Sequence, residues 1–89
     1  MKGIITVVGR DRVGIIAKVC VYLSDNDVNV LDLSQTIVQG YFNMLMIVDY
    51  SKTKKKFEEL AEDLVAVGKG IGVKIKLQHE DIFNTMHRI

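Results

Sequence analysis

The sequence predicts an α+β fold in the order β-α-β-β-α-β, in which four antiparallel strands form one sheet, two helices cover one of its faces, and a short helical tail follows. Two observations carry this. Four runs rich in β-branched and other apolar residues start near Lys2, Val28, Tyr41 and Val73, and the segments after the first and third repeat their apolar residues at helical spacing. Glycine, or a cluster of Ser, Asp and Asn, punctuates the junctions.

Residues 2 to 9 form the first strand. Ile4, Ile5, Val7 and Val8 are apolar on both faces, as a central strand requires. From Gly14 to about Asn26 the residues Ile16, Val19, Cys20 and Leu23 fall at i, i+3, i+4 and i+7, giving one helical face that packs on a sheet. Residues 28 to 39 alternate, with Leu31, Leu33 and Ile37 on one side and Asp32, Ser34 and Thr36 on the other, so this strand belongs at an edge. Gly40 turns the chain into Tyr41–Tyr50, a central strand with Phe42, Met44, Met46 and Val48 on one side and Leu45 and Ile47 on the other.

Ser51 or Thr53 is the expected cap of the second helix, whose apolar stripe is Phe57, Leu60, Ala61, Leu64 and Val67. Gly68, Gly70 and Gly72 are expected to end it. Val73, Ile75 and Leu77 then alternate with Lys74, Lys76 and Gln78 in a last strand near an edge. This order is the ferredoxin-like plan, a βαββαβ sandwich. The expected division is a domain over residues 1–79 and a tail over 80–89, where Ile82, Phe83, Met86 and Ile89 suit a short docked helix.

Composition narrows the function. The 89 residues are 48% hydrophobic with a net charge of +1, and the mean hydropathy is +0.18. A domain this small and apolar suits self-association, and its charge gives no general pull toward nucleic acid. The lysines at 52, 54, 55 and 56 are a local basic run that a solvated face also explains. No apolar run is long enough to span a membrane and no signal-peptide layout opens the chain, so a cytoplasmic location is expected. The single cysteine, Cys20, lies on the apolar side of a helix and reads as a small core residue.

No catalytic set emerges. His79 and His87, with Glu80 and Asp81 nearby, lack the spacing of a helical metal site, and they read as surface or interface residues. Neither a metal nor a cofactor is expected, nor an enzymatic activity. Tyr41-Phe42-Asn43-Met44-Leu45 only weakly echoes the aromatic strand of RNA-binding modules, so nucleic acid is not the expected partner.

The chemistry concentrates instead in Gly9-Arg10-Asp11-Arg12-Val13-Gly14-Ile15-Ile16, between the first strand and the first helix. A strand, a turn with two glycines and a helix N-terminus present free backbone N–H groups to an anion. Arg12 is a possible second donor to a carboxylate, and Asp11 can hold an ammonium group. The residues alone equally allow Asp11 to cap the helix with both arginines in water.

The stretch Ile4 to Ala17, followed by Asp27-Val28-Asn29-Val30, resembles the ACT domain, the small regulatory module of amino-acid metabolism. The resemblance spans about residues 2 to 79 and is most specific in the glycine, aspartate, basic residue, glycine and aliphatic order of the loop. The whole chain, including His79-Glu80-Asp81-Ile82-Phe83-Asn84, is similar to stand-alone bacterial ACT proteins and, through them, to the glycine-cleavage-system repressor type. The resemblance implies a homodimer or higher homo-oligomer of side-by-side sheets, an amino acid bound at the interface, and an unnamed regulated protein. The implied ligand-binding residues are Arg10, Asp11, Arg12, Val13, Gly14 and Ile15 of one subunit, and Asn29 of the other. Val13 stands where many members carry proline, which would pre-set the first helical turn. The competing reading is an interaction module that binds no small molecule and docks on protein or nucleic acid through its sheet, its lysine run or its tail.

Overall fold

The computed structural model describes residues 1–80. Its elements are β1 (Lys2–Arg10), α1 (Ile15–Asp25), β2 (Asn29–Val38), β3 (Tyr41–Asp49), α2 (Phe57–Ile71) and β4 (Val73–His79). The strands lie in the order β2-β3-β1-β4, with every neighbouring pair antiparallel. Thus β1 and β3 are central and β2 and β4 are edges, as the two-sided and alternating apolar patterns predict. The expected tail, beyond Glu80, lies outside the described residues, as does His87.

The core fills the space between one sheet face and the helices. Ile5 and Val7 of β1, Met44, Met46 and Val48 of β3, and Ile75 and Leu77 of β4 meet Val19 and Leu23 of α1 and Leu60 and Leu64 of α2. The buried line of α1 is Ile15, Val19 and Leu23. Val19 and Leu23 lie there as expected, while Ile16 and Cys20, expected on the same face, flank it half-buried because the stripe is rotated toward Ile15.

Three junctions differ from expectation for local reasons. α2 is capped at Lys56, not at Ser51 or Thr53: the Lys56 N–H donates to Glu59 Oε1 at 3.0 Å, so Glu59 reaches back from the first turn. Thr53 Oγ1 instead accepts the Lys55 N–H at 3.3 Å within the preceding loop. α2 also continues through Gly68 and Gly70 and ends only at Gly72, which adopts φ 77° and sends its N–H back to the Gly68 carbonyl. Gly68 is a packing residue, since a Cβ there would lie 2.5 Å from the Val73 carbonyl oxygen.

Gly9 serves the same purpose in the sheet, where a Cβ would approach Val73 Cγ1 to 2.6 Å. The β2–β3 connection has both central residues in the left-handed region, Gln39 at φ 51° and Gly40 at φ 80°. That matches the tight turn whose twist suits a hairpin.

β2 is more exposed than its alternation implies. Leu33, Gln35 and Ile37 pair with Met46, Met44 and Phe42 and so share the helix-side face, yet every residue from Leu31 to Val38 is exposed. The helices cover β1, β3 and β4 and leave this edge bare. A bulge between Val30 and Asp32 shifts the register near its start.

At the far end of the sheet, Tyr50 Oη and His79 Nδ1 share a hydrogen bond of 2.8 Å, and the His79 ring stacks on Phe57 at 3.7 Å. His79 thus joins an aromatic cluster. Between the helices, the Tyr22 hydroxyl donates to Asp63 Oδ2 at 2.6 Å, and Lys55 Nζ reaches the same oxygen at 2.6 Å. Lys55 holds the Asp63 carboxyl below its ordinary range, with Tyr22 adding to the effect. Burial, followed by the neighbouring Asp63 carboxylate, pushes the Tyr22 hydroxyl up.

Candidate ligand-binding site

α1 starts without a side-chain cap. Its N-cap residue is Gly14, in the left-handed region at φ 91°, where a side chain is strained but a Cβ would meet nothing within 4 Å. The requirement for glycine is therefore conformational. The Gly14 carbonyl accepts the Lys18 N–H at 3.0 Å, while the N–H groups of the first turn have no intrahelical acceptor.

This helix end opens onto a shallow hollow of about 280 Å³ lined by Asp11, Arg12, Gly14, Ile15, Ile16 and Ala17 from the loop and helix, and by Gln35, Ile37 and Phe42 from the sheet. The loop is fixed to the sheet by the Asp11 N–H, which donates to the Gly40 carbonyl at 2.9 Å. Positive partial charge at the helix start, the acidic Asp11 and an apolar floor of Ile37 and Phe42 can receive a small zwitterion.

The residues singled out in the sequence separate into groups. Asp11, Arg12, Gly14 and Ile15 line the hollow. Asp11 does not cap α1, which removes the arrangement in which its carboxylate is used up on the helix. The Arg12 guanidinium carbon lies 3.4 Å from where a Cβ on Gly72 would be, so it rests beside the C-terminal end of α2, where the helix dipole favours a cation. Arg10 extends from the end of β1 over the Tyr41 ring at 5.5 Å, outside the lining. Val13 is wholly exposed at the loop tip.

Asn29 is not in this hollow. It opens β2 at the opposite end of the sheet, paired with Asp49, and lines a separate hollow with Cys20, Ser24, Asp27 and Lys52. The nine steps from Asn29 to Val38 span roughly 30 Å at ~3.3 Å per residue, so one subunit cannot bring Asn29 to the loop. The lining residues that sequence reasoning missed are Ile16, Ala17, Gln35, Ile37 and Phe42. The alternation of β2 carried a usable signal for two of them: Gln35 is a polar residue in the same phase as Leu33 and Ile37.

The sequence pattern of the ACT domain matches residues 3–78. The chain belongs to the ACT domain family. It is 60% identical to a UPF0237 protein of Bifidobacterium longum over 88 residues, 99% of this chain and 98% of that one. A solved ACT domain protein from Streptococcus pneumoniae is 41% identical, covers 93% of each chain and superimposes with a TM-score of 0.83. A candidate glycine cleavage system transcriptional repressor shares the fold alone, at 22% identity and a TM-score of 0.76, with 86% of this chain matched to 44% of that one.

Within this ACT domain the free edge of β2 adjoins the hollow. The Val38–Tyr41 pair closes the hairpin, so alternate residues Leu33, Gln35 and Ile37 turn their backbone groups outward. The Leu33 N–H is met by its neighbour Asp32 at 2.8 Å. Among the described residues, no helix is long and apolar enough to cross a membrane.

Proposed function

We propose that this ACT domain is a ligand-sensing regulator that works in the cytoplasm, binds an amino acid between two copies of itself and passes its occupancy to a partner protein, without catalysis of its own. The observation that carries the reading is the uncapped α1 N-terminus facing a hollow with Asp11 and Arg12 at its rim. A ligand carboxylate takes the first-turn N–H groups of Ile15 and Ile16, and its ammonium group takes Asp11. Arg12 adds positive potential. Ile37 and Phe42 contact the ligand's side chain.

The bare edge of β2 supplies the second half. Antiparallel pairing of β2 with its copy, about the middle of the strand, brings Asn29 of the partner subunit alongside the Ile37–Val38 end and next to the hollow. This arrangement answers the distance between Asn29 and the loop and covers Leu33 and Ile37. Arg10 and Val13, outside the hollow in one subunit, stand at the loop face nearest to solvent and serve as rim residues.

The test is a thermal-shift and calorimetric screen of the full-length chain against the twenty amino acids, with mass measurement by light scattering. The expected result is a dimer, a rise in Tm with a subset of amino acids, and loss of that rise in Asp11→Ala and Gly14→Ala. A monomer, or a flat response to all twenty, would overturn the reading in favour of an interaction module. The lysine run is a weaker basis for that module than its composition implies, since Lys55 is engaged with Asp63.

A further inference from the structure

The outward face of α1 has a charge order that is wrong for its own helix. Lys18, Val21, Tyr22 and Asp25 lie at i, i+3, i+4 and i+7 and form one stripe. Lys18 is near the positive end of the helix and Asp25 is its last residue, at the negative end, with no acidic residue in the first turn and no basic residue in the last. Each charge sits where the helix dipole disfavours it. Neither has an ion-pair or hydrogen-bond partner among the described residues.

The same stripe borders an apolar groove of about 500 Å³ between the helices, where Ala17 and Val21 of α1 face Ala66, Val67 and Ile71 of α2. Val21 is 59% exposed at its lip. Tyr22 is held across the groove by Asp63, so the two helices present a fixed surface.

We propose that this helix face docks on the same face of a second copy, with the two α1 helices antiparallel. Lys18 and Asp25 are equally far from the middle of the stripe, between Val21 and Tyr22. A twofold axis there sets each Lys18 against Asp25 of the partner subunit and seats each Val21 in the shared apolar groove. The charge order that opposes its own helix then favours the partner's, because an antiparallel neighbour presents its opposite end. This surface is on the helix layer, separate from the β2 edge, and the inference stands whether or not an amino acid binds.

Charge reversal in the full-length chain tests it by sedimentation equilibrium. A Gln35→Pro substitution, which removes an outward N–H from the β2 edge, isolates the helix face, and the same series in the unsubstituted chain reads the loss of assembly above the β2-paired dimer. Lys18→Glu and Asp25→Lys each place like charges together twice across the axis, and each is expected to raise the dimer Kd about tenfold or more. The double swap restores opposite charges and is expected to return Kd to within about threefold of the parent. Circular dichroism distinguishes this from a folding effect, since each single reversal relieves its own helix and leaves helicity intact or raised. Unchanged Kd in the single variants, failure of the double variant to restore, or no helix-face dimer in either background would overturn the inference.

Discussion

Two glycines a half-turn apart in α2 are expected to respond to alanine with opposite signs. At Gly70 a Cβ would meet nothing within 4 Å, and the position has an ordinary helical backbone. Replacing glycine in a helix gains about 0.5–1 kcal/mol, and the lower value applies so close to the helix end. At Gly68 the same gain is available, but the Cβ lies 2.5 Å from the Val73 carbonyl oxygen and 3.1 Å from Ile75 Cγ1. The first contact is to backbone and cannot rotate away, so α2 and β4 must separate locally in a close-packed core. Overpacking of this sort costs about 1–3 kcal/mol, leaving Gly68→Ala destabilised by about 1–2 kcal/mol net. Urea unfolding at fixed protein concentration, read by far-ultraviolet circular dichroism, measures both variants against the parent. In a domain this size a change of ~1 kcal/mol moves Tm by about 4–8 °C, so a rise at 70 and a fall at 68 are separable in one experiment. Stabilisation by Gly68→Ala equal to that by Gly70→Ala would refute the close approach of helix and strand.

Further perturbations follow from the same contacts. Gly14→Ala places a side chain at φ 91° and is expected to cost about 1–2 kcal/mol by strain alone, with Gly14→Asn costing less, as thermal denaturation will show. Tyr22→Phe removes the hydroxyl that joins α1 to Asp63 and is expected to cost about 0.5–1.5 kcal/mol in urea unfolding. The Asp63 carboxyl titrates below its ordinary range in the folded chain, so its contribution is present above the unfolded carboxyl pKa, ~3.9, and lost as pH falls through the lower folded value. Asp63→Asn should therefore flatten the acid limb of a Tm-against-pH profile below about pH 5. Glu59→Ala leaves the Lys56 N–H without its acceptor and should lower stability by about 0.5–1 kcal/mol, seen as a lower Tm.

The amino-acid order alone determined the element sequence and the two central strands, whereas both sides of β3 read as apolar and only the structure shows that Phe42, Met44, Met46 and Val48 enter the core. Apolar periodicity carries that information directly: residues alternate on a strand and recur every three or four on a helix, whatever they pack against. It also located the glycine loop, because a strand, two glycines and a helix start are local features. Packing distance was not legible. Gly68 and Gly70 look alike in sequence, and only the approach of β4 makes one a spacer and leaves the other in open space. The cap of α2 moved to Lys56 because Glu59 folds back on its backbone, a contact that competes with the more usual Thr53 cap.

At the candidate site the division is the same. Asp11, Arg12 and Gly14 could be named from the chain, being consecutive with the helix start, whereas Gln35, Ile37 and Phe42 arrive only when the crossover from β1 to β2 sets α1 above the sheet. Asn29 is named by family resemblance, and the fold puts it at the other end of β2. Sequence encodes which residues share a face; the tertiary structure alone decides which faces meet, because distance across the sheet depends on strand order and register, neither of which is a local property of the chain.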